Sequence, residues 1–161
     1  MKLILDTCSW LKVRKLDWEK IITLKNLLYE TDLWATHEIQ TELQYYLSDY
    51  LDLRNFSIQK VSLHELSMFT EKELDSADLS LIEFGRQNPN CIVVCDDGAA
   101  LQMLDMFNIQ CFQLSEFIFF LVKNDILKKN QAIKSVKKLR DWKNIKENKK
   151  KHLLSKINAA T

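Results

Sequence analysis

The chain predicts an α/β fold, a three-layer sandwich around a mostly parallel central sheet, with a basic helical segment at its C-terminal end. Short apolar runs of strand length alternate with longer stretches whose apolar residues recur at helical spacing, the pattern of a parallel sheet with crossover helices. Only two glycines and one proline occur in 161 residues, too few for a fold rich in tight turns. Two of the strand-like runs end on acidic residues, and in an open parallel sheet the carboxyl ends of the strands form the site edge. At 47% hydrophobic, the chain is long enough to bury a sizeable core.

The elements follow in order. Lys2-Leu3-Ile4-Leu5-Asp6 reads as a buried strand, and Thr7-Cys8-Ser9 as the turn after it. A helix is predicted from Asp17 to Tyr29, with Trp18, Ile21, Ile22, Leu24, Leu27 and Leu28 at helical spacing. Leu33-Trp34-Ala35-Thr36 is a second strand. A helix from about His37 to Tyr50 places Ile39, Leu43, Tyr46, Leu47 and Tyr50 on one stripe. Phe56 to Leu63 alternates imperfectly and reads as a strand. Ser76 is positioned to cap a helix through about Gln87, weakened near its end by Gly85. Asn88-Pro89-Asn90 breaks the chain before the strand Cys91–Cys95. A helix from about Gly98 to Phe107, a strand at Ile109–Phe112 and a helix capped by Ser115 through Val122 complete the alternation. Beyond Asn130 the sequence is helical and Lys-rich, with Ile133, Val136, Leu139, Trp142 and Ile145 as an apolar seam.

Charge is unevenly divided. Lys123 to Thr161 holds thirteen basic and three acidic residues, whereas the preceding segment holds ten and nineteen. An acidic, cation-seeking body with a basic arm is the reading, hidden by a net charge of +1. No run approaches the roughly 18 apolar residues of a membrane span, and the start lacks a signal-peptide pattern. Cys8, Cys91, Cys95 and Cys111 form no C-x-x-C pair, which suits buried reduced thiols. A cytoplasmic protein with no membrane partner is expected.

The candidate site is acidic. Asp6 ends the first strand and Asp96-Asp97 ends the strand of residues 91–95. Glu42 lies between Ile39 and Leu43, at the border of a buried stripe, and Asp78 falls in the first turn of its helix. Carboxylates gathered against a core repel one another and lose hydration, so they require a proton or a cation. Oxygen donors without a fixed nitrogen or sulfur partner suit a hard divalent ion, Mg2+ or Mn2+. Each position also has an ordinary reading: a turn for Asp6, a solvated stripe edge for Glu42, and helix starts for Asp78 and Asp97.

In order and spacing these segments resemble the PIN-domain family. Leu3-Ile4-Leu5-Asp6-Thr7-Cys8-Ser9 is similar to its opening strand and acid, and Thr36-His37-Glu38-Ile39-Gln40-Thr41-Glu42-Leu43 to its second motif. Leu74-Asp75-Ser76-Ala77-Asp78 is similar to the third. Val93-Val94-Cys95-Asp96-Asp97-Gly98-Ala99-Ala100 is similar to the fourth, with Cys95 where the family frequently carries a hydroxyl residue. The resemblance spans residues 2 to about 122. It implies a PIN-like nuclease domain over 1–122 with a basic helical extension over 123–161. The implied activity is a metal-dependent endoribonuclease, as in VapC-type toxins paired with an antitoxin. Asp6, Glu42, Asp78 and Asp97 are then the catalytic acids and Mg2+ or Mn2+ ligands, with Asp96 a fifth ligand or supporting acid.

Around this set, Thr7 and Ser9 offer hydroxyls to a water, a phosphate or the turn backbone. His37 reads as a surface or capping residue. Lys128, Lys129, Lys134, Lys137, Lys138, Arg140 and Lys143 are candidate phosphate contacts on RNA, or else a solvated helix face or a tail docking on an acidic partner. Trp142 belongs either to the seam or to a stacked base. Residues 117–121 are apolar nearly all round, which fits a buried helix or a homodimer face. The alternative from another class is a catalytically weak PIN-like module that binds RNA or scaffolds proteins. A receiver domain would place its acidic pair after the first strand. A dehalogenase-like phosphatase would need an acid where Cys8 stands.

Overall fold

Leu3, Ile4 and Leu5 are fully buried because β1 (Lys2–Leu5) occupies the middle of a five-stranded sheet. The computed structural model describes residues 1–23, 31–64, 66 and 74–160. The other strands are β2 (Asp32–Thr36), β3 (Ser57–Gln59), β4 (Ile92–Val94) and β5 (Cys111–Phe112), in the order β3-β2-β1-β4-β5. Every pairing in this sheet is parallel; Ile4 lies opposite Trp34 on one side and Val93 on the other. The chain builds outward from β1 through β2 to β3, then returns to the other flank of β1 with β4. That reversal puts the topological switch point between β1 and β4, where a crevice opens beyond the strand ends.

Among the described residues there are seven α-helices: α1 (Thr7–Trp18), α2 (His37–Leu47), α3 (Ser76–Gln87), α4 (Gly98–Met106), α5 (Leu114–Lys123), α6 (Lys129–Asp141) and α7 (Glu147–Ala159). The α/β class and the parallel sheet are as expected. Contacts divide the chain into two compact units, Met1–Leu11 with Thr31–Phe112, and Lys12–Glu30 with Gln113–Thr161. The first contains five basic and fifteen acidic residues, a balance of −10; the second contains eighteen and seven, a balance of +11. The charge asymmetry of the sequence thus follows the division into units.

Local differences from the expected elements have physical reasons. The predicted turn at Thr7-Cys8-Ser9 is already the first turn of α1. Its buried Trp10, Val13 and Leu16 recur every three residues between basic side chains. Lys20, at a φ of 56°, ends the helical course, and Ile21 N–H bonds back to the Leu16 carbonyl. The predicted helix over Asp17–Tyr29 begins within the end of α1, and residues 24–30 lie outside the described residues. Helix α2 buries Ile39, Leu43 and Leu47 but exposes Tyr46, and it ends before Tyr50. The strand predicted over Phe56–Leu63 is confined to Ser57–Gln59. Asp75 rather than Ser76 caps α3, and Gln113, in a reciprocal capping box with Glu116, replaces Ser115 as the cap of α5. Gly85 has a packing reason: a Cβ there would lie 2.8 Å from Ile109 Cγ2.

In the second unit α5 buries Phe117, Ile118, Leu121 and Val122, while α6 buries Ala132, Ser135, Val136 and Leu139. Trp142 is half-buried, with the Lys15 ammonium 4.1 Å from its ring centroid. No helix among the described residues is long and apolar enough to cross a membrane.

Thr36 fixes two helices of the first unit. It is fully buried; its Oγ1 accepts from Ile39 N–H at 3.2 Å to cap α2 and lies 2.6 Å from Ser80 Oγ on α3. Thr36→Val keeps the shape but removes the cap and the hydrogen bond to Ser80 Oγ, which retains its bond to the Ala77 carbonyl at 2.8 Å, so denaturant unfolding should show a loss of about 2 kcal/mol, about half from each lost bond. An unchanged midpoint and slope would remove this tie from the account.

Candidate active site

Asp6 immediately follows β1 and is only 7% exposed. Its N–H extends the strand ladder to the Val94 carbonyl at 2.9 Å. Oδ1 accepts from Ser9 N–H at 2.6 Å, and Oδ2 accepts from Asp96 N–H at 3.0 Å. The Cys95 thiol donates to the same carboxylate. Burial, followed by the charge and hydrogen bond of Asp6, pushes the Cys95 thiol far up, so it stays a neutral donor. A buried carboxylate held by charge-assisted N–H bonds keeps a fixed orientation.

The remaining acids arrive on helices. Thr7, the first residue of α1, donates its hydroxyl to Glu42 Oε2 at 2.5 Å and so aims a half-buried carboxylate carried by α2. Asp75 caps α3 by accepting from Asp78 N–H at 2.9 Å. Asp97 caps α4 through Oδ1, which accepts from Ala99 N–H and Ala100 N–H at 2.9 Å each. Helix N-termini favour negative charge and partly offset the repulsion among these groups.

Asp6, Glu42, Asp75, Asp78 and Asp97 line one cavity of about 220 Å³, together with Thr7 and the exposed Cys8. The half-buried Asp78 has its pKa raised to about 6, first by burial, then by the charges of Asp75, Asp97 and Asp6. Four of the five sequence-predicted acids therefore meet. Asp96 is not among the lining residues, and its contribution to Asp6 comes from the backbone. Asp75 was overlooked as a site residue, although an Asp three positions before the first-turn acid is a capping signature. The Thr7–Glu42 bond and the Cys95 thiol also lie beyond what spacing alone could show.

Among the described residues, no group of three or more His, Cys, Asp and Glu is closed tightly enough to hold a metal ion. The donor chemistry nevertheless fits Mg2+ or Mn2+. The acids supply oxygen ligands, and the cavity has room for several waters, which Mg2+ characteristically retains while taking only one or two carboxylates. Ser9 Oγ is fully buried and has no hydrogen-bond partner among the described residues, an unmet polar group beside Asp6. In the second unit, the cleft lined by Val13, Leu16, Phe117 and Leu121 is apolar and has no comparable convergence of acids.

The predicted phosphate contacts divide. Lys138 pairs with Glu19 at 2.6 Å and Arg140 with Glu147 at 3.1 Å, whereas Lys128, Lys129, Lys134 and Lys137 are exposed. His37 begins α2 and is exposed. No protein-family model, curated protein or solved structure matches the chain.

Between its ordinary pKa of 3.8 and about 6, Asp78 binds a proton more readily when folded than when unfolded. Its contribution to stability is therefore lost as pH rises through that window. Thermal melts should show Asp78→Asn to be more stable than wild type at pH 7, with the difference shrinking towards pH 4. A variant less stable than wild type at pH 7 would contradict this electrostatic account.

Proposed function

We propose that the protein is a PIN-like, Mg2+- or Mn2+-dependent endoribonuclease hydrolysing RNA phosphodiester bonds. A VapC-type toxin held by a protein antitoxin is the proposed context. The observation that carries the reading is the convergence of acids from four chain segments on one cavity at the sheet's switch point. One acid, Asp78, is pushed towards neutrality by burial and then by the charges of Asp75, Asp97 and Asp6. Fixed carboxylates around a half-buried acid that resists ionisation suit a site completed by a cation.

Asp6 is the rigid member, held by Ser9 and Asp96 N–H groups, and Glu42 is aimed by Thr7. Asp97 carries one oxygen in a helix cap. Asp6, Glu42, Asp78 and Asp97 would hold Mg2+ or Mn2+, which would supply an activated water and offset charge on the scissile phosphate. Asp78 must release its proton for the carboxylate set to be complete, and because proton and cation compete for it, cation binding weakens as pH falls. Ser9 Oγ offers a buried donor or acceptor next to Asp6. Exposed Lys128, Lys129, Lys134 and Lys137 are the proposed phosphate contacts, and their binding weakens as salt rises.

The second reading is a weakened PIN-like module that binds RNA or scaffolds a partner. Its support is the absence of a closed metal group among the described residues.

Cleavage of end-labelled RNA by purified protein in Mg2+, Mn2+ or EDTA separates the two. The expected result is discrete, cation-dependent products from wild type. Rates fall at least a hundredfold in Glu42→Gln and Asp78→Asn, about 3 kcal/mol of transition-state stabilisation. Asp78→Asn is the decisive control, because a variant expected to be more stable cannot lose activity through unfolding. Products that persist in EDTA, or that both variants make at the wild-type rate, would sink the proposal.

A further inference from the structure

We infer that Thr7 is a positioning residue that sets the cation selectivity of the acidic cavity: by engaging one oxygen of Glu42 it leaves that carboxylate a single oxygen for a cation, which favours Mg2+ over Ca2+. The inference rests on the cation-dependent reading above and gives its site a selectivity device.

Thr7 is the first residue of α1 and directly follows Asp6. Inside a helix, a threonine hydroxyl can bond back to the carbonyl three or four residues earlier. Here those residues, Ile4 and Leu3, belong to β1. The hydroxyl donates instead across to α2, to Glu42 Oε2 at 2.5 Å. That length is at the short end of the range for a hydroxyl on an ionised carboxylate. Thr7 is buried and its branched side chain is stiff, so the donor is held by the same turn that holds Asp6. Both Thr7 and Glu42 line the cavity.

The neighbouring acids are restricted in a similar way. Asp97 Oδ1 accepts from Ala99 N–H and Ala100 N–H, which occupies both of its lone pairs. Asp6 has a backbone N–H on each oxygen, and Asp75 Oδ1 accepts from Asp78 N–H. Four of the five cavity acids therefore enter with an oxygen already engaged. Ca2+ reaches its roughly six to eight ligands partly by chelation through both oxygens of a carboxylate, whereas Mg2+ takes one or two carboxylates and retains several waters. The engagements of Asp75 and Asp97 come from backbone N–H groups, but that of Glu42 comes from a side chain, so substitution can release it. Independently of the carboxylates, Ser9 Oγ is fully buried beside Asp6 with no hydrogen-bond partner among the described residues. A buried hydroxyl costs stability unless a polar ligand or water meets it.

The test is displacement of Mn2+ from the full chain by Mg2+ or by Ca2+, followed through the Mn2+ EPR signal. Mg2+ should displace it from wild type at a concentration about tenfold lower than Ca2+ does. In Thr7→Val, which keeps the branched shape without the donor, that preference should fall about tenfold, whereas Thr7→Ser should retain it. A merely loosened site weakens both ions alike and leaves the ratio unchanged. In a Glu42→Gln background, Thr7→Val should not move the ratio, because the effect runs through Glu42. Thermal melts check folding, and Thr7→Ala, which also lacks the donor, replaces the valine variant if that melts early. A wild type that binds no Mn2+ overturns the inference, as does one without a preference for Mg2+ over Ca2+. So does a donor-less variant that keeps the wild-type ratio, or one that shifts it equally in the Glu42→Gln background. RNA cleavage keeps the two readings apart. A Thr7-dependent ratio without any cation-dependent cutting removes the nuclease and leaves the selector, whereas cation-dependent cutting with a ratio indifferent to Thr7 does the reverse.

Discussion

The arrangement of the first unit depends on how the Asp6 carboxylate is held. Two adjacent parallel strands, β1 and β4, end at the same level, and the chain after each must leave the sheet. Asp6 takes a backbone N–H from each departure, Ser9 on one side and Asp96 on the other, while its own N–H completes the ladder to Val94. A carboxylate this deeply buried is tolerated only because charge-assisted bonds replace its hydration. The same bonds fix the exits of both strands at the switch point, so fold and cavity share one fastening. The Cys95 thiol, kept protonated by burial, adds a third donor without adding charge.

The other acids reconcile local structure with the cavity in different ways. Asp75 and Asp97 each cap a helix with Oδ1, a role that stabilises by about 1 kcal/mol. Their presence therefore favours folding at α3 and α4 even before any ligand is considered. Asp78 has less such compensation: it is half-buried, sits among Asp75, Asp97 and Asp6, and is driven towards protonation first by burial and then by their charges. Its carboxylate costs stability near neutral pH. A residue that opposes the fold while its neighbours support it marks where local consistency has been given up, the usual sign of a functional position.

Much of this was legible from pattern alone. Strand-length apolar runs ending in Asp6 and Asp97, and a Glu bordering the Ile39–Leu43 stripe, located three of the cavity acids because side-chain direction follows directly from backbone period. Asp78 was legible through its place in a first helical turn. The sequence ranked Asp97 as the catalytic acid and Asp96 as a fifth ligand or supporting acid, but Asp96 does not line the cavity, since a single peptide decides which of two adjacent acids turns into a crevice. Its role passed to its backbone N–H. The first turn of α1 was read as a loop because its apolar positions are interleaved with Lys12, Arg14 and Lys15, which dilute the periodic signal. Tyr46 was assigned to the buried stripe for the converse reason: helical spacing marks a sector, and Leu47 filled it. The Thr36–Ser80 and Thr7–Glu42 bonds join residues 44 and 35 positions apart, and no local pattern encodes them.

The division of charge completes the argument. A cavity ringed by carboxylates in a unit of balance −10 repels a polyanion until a cation is present, so on the nuclease reading chemistry and affinity have opposite electrostatic needs. The proposed phosphate contacts all lie in the second unit, of balance +11. Pairs such as Lys149 with Glu116 and Lys150 with Glu147 add little stability as exposed ion pairs, but they neutralise part of α7. Lys128, Lys129, Lys134 and Lys137 remain exposed at the start and along the outer face of α6. Adding basic residues around Asp78 to gain affinity would instead lower its pKa and compete with the cation for the same carboxylates.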